Sequence, residues 1–531
     1  MNTDASFRAA GRRARWLGGF GVLLLFVILR WNNCRAPLTP DEGEYAYAAQ
    51  LLAAGTAPYE HAFLQKPPMI IYSYAFAHFI FPKIFWSPRL LAGLFAALAT
   101  ILLGWVARLE FGNGIAFPAM WLATPMILLP GIAQFGAGPE IFLLLPLLAM
   151  TAAYACSRQR GHAPRFCFAG AVFGVAALLY KYTALPVVLF LWASWLFEIY
   201  RLQNKKLFWC CFAASGLGAI SAALVILGFF LVRDGGAALW ECTVSFNRYY
   251  LGTGTFGVAG LRENLGSLWN HWWILFFVSG FALVKPKPRV VFWFGMLLCA
   301  LLATGGSWYG QYYILLMPFW ALLAAVGIQS LAAPVARRLA RPQKWIEHGL
   351  LAVVVILLLL PDLPWLADTP EQFVAENLTE SSPLLVAQPA ARRVAELTSA
   401  NEFVCVVGAD PEILCYAQRF SPTRFVTDYE LVFRSPFRQR YQQEMMRDLR
   451  AHPPAVIVLT SSWLSMESPP SELFIFIKKI LAEDYDRIGG YVVKGRTMSW
   501  SEPLADKDAA HASLTLFKRK ISPGETPGAE K

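Results

Sequence analysis

Residues 207–232, LFWCCFAASGLGAISAALVILGFFLV, are 26 consecutive residues without a charge. Lys205 and Lys206 stand before the run and Arg233 and Asp234 after it. A bilayer crossing needs about 20 apolar residues, so this stretch reads as a transmembrane helix. Working outward, similar runs occur at 16–31, 89–107, 114–133, 140–157, 166–181, 184–200, 271–284, 290–304, 311–331 and 345–361. With 207–232 they make eleven expected spans.

The whole composition agrees. Of 531 residues, 56% are hydrophobic and only 15% charged, against roughly 25% charged in soluble domains. Nine cysteines are too few for a disulfide scaffold. The net charge of +11 is unevenly placed. Residues 1–362 hold 27 basic and 13 acidic side chains, and residues 363–531 hold 19 and 22. A basic membrane half fits loops that face anionic lipid. No basic run alternates with aromatics as a nucleic-acid groove would, so nucleic acid is not an expected partner.

Residues 68–86 decide the topology. They are apolar but interrupted by Pro82 and Lys83. If they lie along the outer interface, 18 of the 27 basic residues fall inside and 9 outside. If they cross, the split becomes 10 inside and 17 outside. The positive-inside rule selects the first arrangement. It gives eleven spans, a cytoplasmic N-terminus and an extracytoplasmic C-terminus. Arg8, Arg12, Arg13 and Arg15 before the first span read as an uncleaved signal anchor. The chain thus reads as a multi-pass membrane protein.

The expected fold is a polytopic α-helical membrane domain over 1–362, with a first outer loop at 32–88 and a long outer loop at 233–270. A soluble extracytoplasmic α/β domain follows over 363–520, then a disordered tail at 521–531. In the soluble domain, helical patterns at 388–399, 411–418, 437–451 and 470–483 alternate with strand-like runs at 403–407, 424–427, 455–459, 491–494 and 513–517. That alternation predicts a small, mostly parallel sheet. The 233–270 loop holds Gly252, Gly254, Gly257 and Gly260, and reads as a loose lid.

No Asp, Glu, Lys or Arg falls in the middle of a span; they gather on the outer side. That placement suits chemistry on a lipid headgroup better than ion-coupled transport, which wants carboxylates near the midplane. Thr39-Pro40-Asp41-Glu42 has the pattern of a capping box at a helix start. That role uses Glu42 and leaves Asp41 to take a proton from an attacking hydroxyl. In Gln65-Lys66-Pro67-Pro68, Pro67 fixes Lys66 extended. The lysine then either snorkels to the interface or pairs with a phosphate. Glu140 after Pro139, Lys181 closing a span, and Arg248 between Asn247 and Tyr249 each carry a structural and a functional reading. His61 is a lone histidine, and no CxxC or His-rich metal spacing occurs. No cofactor is expected, and the sequence leaves a divalent metal undecided. Cys405 and Cys415 read as buried thiols or a bridge.

Asp41-Glu42-Gly43-Glu44-Tyr45, then Leu51-Leu52-Ala53-Ala54-Gly55, Pro58-Tyr59 and Lys66-Pro67-Pro68, resembles the first outer loop of the GT-C membrane glycosyltransferases. The branch it looks most like is the bacterial protein-O-mannosyltransferase superfamily, which implies a multi-pass protein of a bacterial inner membrane. It includes aminoarabinose transferases acting on lipid A and transferases that add sugars to lipopolysaccharide core. The resemblance covers roughly residues 16–331. It implies a polyprenyl-phosphate-linked sugar donor, an inverting transfer on the extracytoplasmic face, and Asp41 as catalytic base. Glu42 would orient the loop or support the acceptor, Lys66 hold the donor phosphate, and Glu140 place acceptor or sugar. Arg248 is a second candidate phosphate ligand by its loop position. Tyr45, Tyr59, His61, Lys181 and Gln311-Tyr312, the last standing where the family carries His-Tyr, are candidate substrate-binding positions. The expected acceptor is a glycolipid, glycan or protein of the envelope. A protein O-glycosyltransferase shares every motif. A lipid-sugar flippase would instead show paired half-repeats and midplane charges.

Overall fold

The computed structural model describes residues 19–520 apart from 31–33, 83, 130–135, 234, 252–257, 285, 305–309, 370–371, 373–382, 462–470, 495–496 and 510. The arginines of the expected anchor, the 521–531 tail, and Gly252, Gly254 and Gly257 lie outside the described residues.

Among the described residues, six helices are long and apolar enough to cross a bilayer: Ser87–Phe111, Pro139–Gln159, Tyr182–Arg201, Lys205–Val232, Gly310–Leu339 and Gln343–Asp362. Shorter apolar helices at Gly19–Arg30, Asn113–Leu128, Pro164–Leu178, Leu268–Leu283 and Pro288–Leu302 occupy the other five expected spans. Met69–Ile80 has 12 residues. At 1.5 Å per residue it reaches about 18 Å, short of a hydrocarbon core of about 30 Å. It buries Ile70, Ile71, Tyr74 and Ala77 and turns Phe76, Phe79 and Ile80 outward. Its start and the turn after it lie at one end of the bundle: Met69 N donates to Leu179 O (3.0 Å), and the Phe85 ring meets Tyr416 edge-on at 5.0 Å.

Ion pairs at the opposite end fix the alternation of the other helices. Arg158 bonds Glu110 (3.0 Å) and approaches Glu198 (3.4 Å), and Arg289 Nη1 donates to Glu110 O (2.5 Å). These contacts gather the ends of Ser87–Phe111, Pro139–Gln159, Leu185–Arg201 and Pro288–Leu302. Residues expected on one side of the membrane are therefore together, and those expected on the other gather at what we call the site end.

The soluble domain sits at the site end. Its strands are β1 Val404–Val407, β2 Val456–Thr460, β3 Tyr485–Lys494, β4 Thr497–Ser501 and β5 Ala512–Arg519, in the order β1-β2-β5-β3-β4. Only β1 and β2 are parallel. The sheet is mainly antiparallel, contrary to the sequence reading. The helix Arg438–Ala451 supplies a crossover between β1 and β2, whereas β3 returns directly as β4 and β5 enters between β2 and β3. Residues 424–427, expected as a strand, are not one; Arg424 O accepts from Phe63 N (2.6 Å) of the first loop. Cys405 and Cys415 are buried free thiols.

The 233–270 segment also differs from expectation. Its described residues form Gly236–Trp240, a π turn at Glu241–Ser245, Phe246–Leu251 and the start of Val258–Leu283, which kinks at Trp272. In its described part, Phe246 packs on Phe433, and Glu241 pairs with Arg424 (3.1 Å) and Arg440 (2.5 Å) of the soluble domain.

The first loop and soluble domain interlock. Gly43 permits the closest approach, since a Cβ there would lie 2.5 Å from Glu412 N. Leu38 N donates to Tyr416 Oη (2.8 Å), and Ser421 N to Tyr47 Oη (2.9 Å). Phe63 stacks on Phe425 and meets Tyr441 and Phe246 edge-on.

Candidate active site at the mouth of the bundle

The helix Pro40–Ala53 starts as the sequence predicts. Thr39 Oγ1 accepts from Glu42 N (3.3 Å), and Glu42 Oε2 accepts from Thr39 N (3.0 Å). The rest of the Glu42 carboxylate is held by Arg89, whose Nε and Nη2 donate at 2.8 and 2.5 Å. Arg89 also donates to Ala36 O (2.6 Å) and Pro37 O (2.7 Å) and is fully buried. Glu42 therefore ties the loop to the Ser87–Phe111 helix and has little capacity left for substrate. Its neighbour Asp41 is exposed and makes no side-chain hydrogen bond among the described residues. It lines a narrow cleft with Thr39, Tyr45, Gly138, Glu140 and Gln311.

Across this cleft, Glu140 stands in the first turn of Pro139–Gln159. The preceding turn is pinned by Arg30, whose Nη2 donates to Gly136 O (2.9 Å). Gly136 has φ +85°, and a Cβ there would collide with the Arg30 guanidinium. Glu140 pairs with buried Lys181. Helix Pro164–Leu178 ends before Lys181, so the lysine lies in an extended connection beyond the helix. Its ammonium lies 3.3 Å from the centroid of the Tyr312 ring. Burial lowers the Lys181 pKa, while Glu140 acts to restore it. Tyr45 is buried, and burial with nearby Asp41 and Glu140 raises its phenol well above the ordinary value. Its Oη has no hydrogen-bond partner among the described residues and stays a protonated donor.

Lys66 stands close enough to Pro40–Ala53 to act on Glu44. Tyr59, fully buried, donates its hydroxyl to Lys66 O (2.7 Å), and Asn247 Nδ2 donates to Gln65 O (2.8 Å). The field of Lys66 is felt at both Glu44 and Lys181. Asp41, Tyr45, Lys66, Glu140, Lys181, Gln311 and Tyr312 thus gather at one mouth. His61 and Arg248 do not line the cleft: His61 is exposed on Pro58–His61 and Arg248 on Phe246–Leu251.

Below the lysines runs an apolar groove of about 1160 Å³, lined by Met69, Trp105, Leu145, Ala152, Phe173 and Tyr180 among others. Met69 follows Lys66-Pro67-Pro68 and Tyr180 precedes Lys181, so the groove begins beside both ammonium-bearing segments.

Sequence reasoning missed four charged residues here. Arg30 and Arg89 support the two walls, and Glu44 and Glu430 meet beneath Lys66. Glu44 stands inside the quoted first-loop motif, which was its one signal. Among the described residues, no group of three or more His, Cys, Asp or Glu is placed to hold a metal ion.

No protein-family model and no curated protein sequence matches the chain. Solved structures do. ArnT from Cupriavidus metallidurans bound to undecaprenyl phosphate aligns with TM-score 0.61 at 14% identity, over 96% of this chain and 99% of that one. Its apo state gives 0.59 at 14%, over 96% and 98%. The apo Archaeoglobus fulgidus oligosaccharyltransferase gives 0.50 at 11%, over 92% and 74%. Likeness at these identities is one of fold, and it is the fold the first-loop resemblance implied.

Proposed function

From the GT-C fold of this chain as premise, we propose that it is a membrane glycosyltransferase. It moves a sugar from a polyprenyl-phosphate donor to an envelope acceptor on the extracytoplasmic face. The carrying observation is the division of labour in Asp41-Glu42. Glu42 is consumed by Arg89 and the cap, whereas Asp41 faces the cleft with its carboxylate uncommitted.

The acceptor hydroxyl attacks the anomeric carbon from the face opposite the phosphate, inverting that centre. Its proton passes to Asp41 as the new C–O bond forms. The bond from the anomeric carbon to the phosphate oxygen breaks, and its electron pair leaves with the phosphate. Lys66 stabilises the charge that develops there. Tyr45 Oη and Gln311 offer a donor and a carboxamide to sugar or acceptor hydroxyls. Glu140, kept in charge balance by Lys181, shapes the opposite wall.

Three further observations support a lipid-linked donor. The apolar groove adjoins the lysine-bearing segments and suits a polyprenyl tail. The neighbour ArnT is a complex with undecaprenyl phosphate. The basic residues concentrate at the end opposite the cleft, which supports a cleft on the extracytoplasmic face. Arg248 has no part in this reading.

Mass spectrometry of envelope lipids and glycans tests it. A deletion strain should lack one sugar increment on one envelope species. The wild-type gene should restore it and Asp41→Asn should not. Identical profiles in all strains would overturn the proposal.

A further inference from the structure

The soluble domain carries a buried carboxyl into the donor-phosphate site. Glu430 lies on the short helix Tyr429–Val432 and is 1% exposed. Its Oε1 accepts from Gln65 Nε2 (3.1 Å), and its Oε2 accepts from Thr427 Oγ1 (3.0 Å). The Thr427 side chain also reaches Glu44 of the Pro40–Ala53 helix. A hydroxyl has one proton to give. When it serves Glu430, a carboxylate at Glu44 would face lone pairs, whereas a protonated Glu44 donates. Two carboxyls bridged by one hydroxyl, with little water, are stable together when they retain a proton between them.

Glu430 also governs where Lys66 stands. Gln65, the residue before it, is gripped at its carboxamide by Glu430 and at its carbonyl by Asn247. We propose that Glu430 is a positioning residue through which the docked soluble domain sets both the geometry and the local charge of the Lys66 phosphate site. This rests on the donor reading above. It makes the soluble domain part of the donor site rather than an appendage.

The groups facing Glu430 are Glu44 on Pro40–Ala53, Asp428 on its own turn, Gln65, Thr427 and Cys242 in Glu241–Ser245; Asp41 and Lys66 act in turn on Glu44. Burial raises Glu430 to about 7 and Glu44 well above the carboxylate range. Near neutral pH the pair thus holds a proton. As pH rises through about 7, Glu430 gains charge against the Gln65 carboxamide, one residue before Lys66. The added negative charge competes with a donor phosphate for the ammonium and repels the phosphate.

Glu430→Gln tests this. The carboxamide preserves volume and can still accept from Gln65, but it cannot ionise. Full-length wild type and variant in nanodiscs are titrated with a C55 polyprenyl monophosphate at pH 6 and pH 8. The phosphate's own titration is common to both proteins and cancels in the ratio of their Kd values. Wild-type Kd over variant Kd should be near 1 at pH 6 and rise roughly three- to ten-fold at pH 8, the effect of one nearby partly screened charge. Glu430→Ala, which lacks the acceptor for Gln65, should bind weakly at both pH values. Equal ratios at the two pH values, with unchanged thermal unfolding of Glu430→Gln, would overturn the proposal while leaving the donor reading intact. Failure of wild type to bind the lipid at either pH would overturn the donor reading and this inference with it.

Discussion

Glu42→Ala takes the carboxylate from the fully buried Arg89 guanidinium, which keeps its bonds to the carbonyls of Ala36 and Pro37. The substitution removes two charge-assisted bonds from Arg89 and the carboxylate's two contacts to Thr39, while the backbone N–H at 42 keeps its bond to Thr39 Oγ1. Stranding one partner of a buried ion pair costs roughly 3–5 kcal/mol, and a lost cap adds about 1 kcal/mol. Glu42→Gln keeps one acceptor for Arg89 and should cost less, about 1–3 kcal/mol. Arg89→Met alone should be about as harmful as Glu42→Ala. The double variant Glu42→Gln/Arg89→Met should be milder than the two single costs combined, by roughly 1–3 kcal/mol, because no charge is then stranded. Thermal unfolding of the detergent-solubilised protein, followed by tryptophan fluorescence, measures the series, with transfer assayed on whatever remains folded. If Glu42→Ala unfolds like wild type yet has no activity, Glu42 belongs to the chemistry and the anchoring argument is refuted.

Lys66→Ala should raise the KM for a polyprenyl-phosphate sugar and lower kcat, with Lys66→Arg rescuing only in part because a planar fork replaces a point charge; steady-state kinetics unchanged by the alanine would leave Lys66 a snorkelling residue. Gly43→Ala should loosen the soluble domain by about 1–3 kcal/mol, since the new methyl would lie within 2.5 Å of Glu412 N; faster limited proteolysis of the domain is the readout, and an unaltered digestion pattern counts against the docking geometry. Single cysteines placed at Arg160 and Lys205 should resist a membrane-impermeant thiol reagent in intact spheroplasts, while one at exposed Asp506 should react; the opposite labelling would invert the orientation.

The spans were legible because lipid imposes one rule, a continuous apolar run long enough to cross. All eleven expected runs coincide with apolar helices, and the short 69–80 helix stays at one end as the basic-residue count required. The capping box at Thr39 was legible because it is local, and so was the release of Asp41. What holds Glu42 was not, because Arg89 comes from the next span and no local pattern joins them. Glu430 was equally hidden, since its partner Gln65 lies at the other end of the chain. The sheet was misread because alternating helix and strand patterns carry no strand direction. Residues 424–427 look like a strand but are used for docking on Phe63. In 233–251, the aromatic and acidic residues that pack short helices against the soluble domain have partners far along the chain, which no local pattern shows.

The central claim is that Asp41 takes the proton of the acceptor hydroxyl. Asp41→Asn tests it in purified full-length protein, with polyprenyl-phosphate binding and transfer measured side by side. Asp41 is exposed and makes no side-chain hydrogen bond among the described residues, so fold and lipid binding should survive. Turnover should fall by roughly 10²–10⁴-fold, the range general-base catalysis supplies. An asparagine variant that binds the lipid normally and keeps more than about a tenth of wild-type turnover would contradict the account.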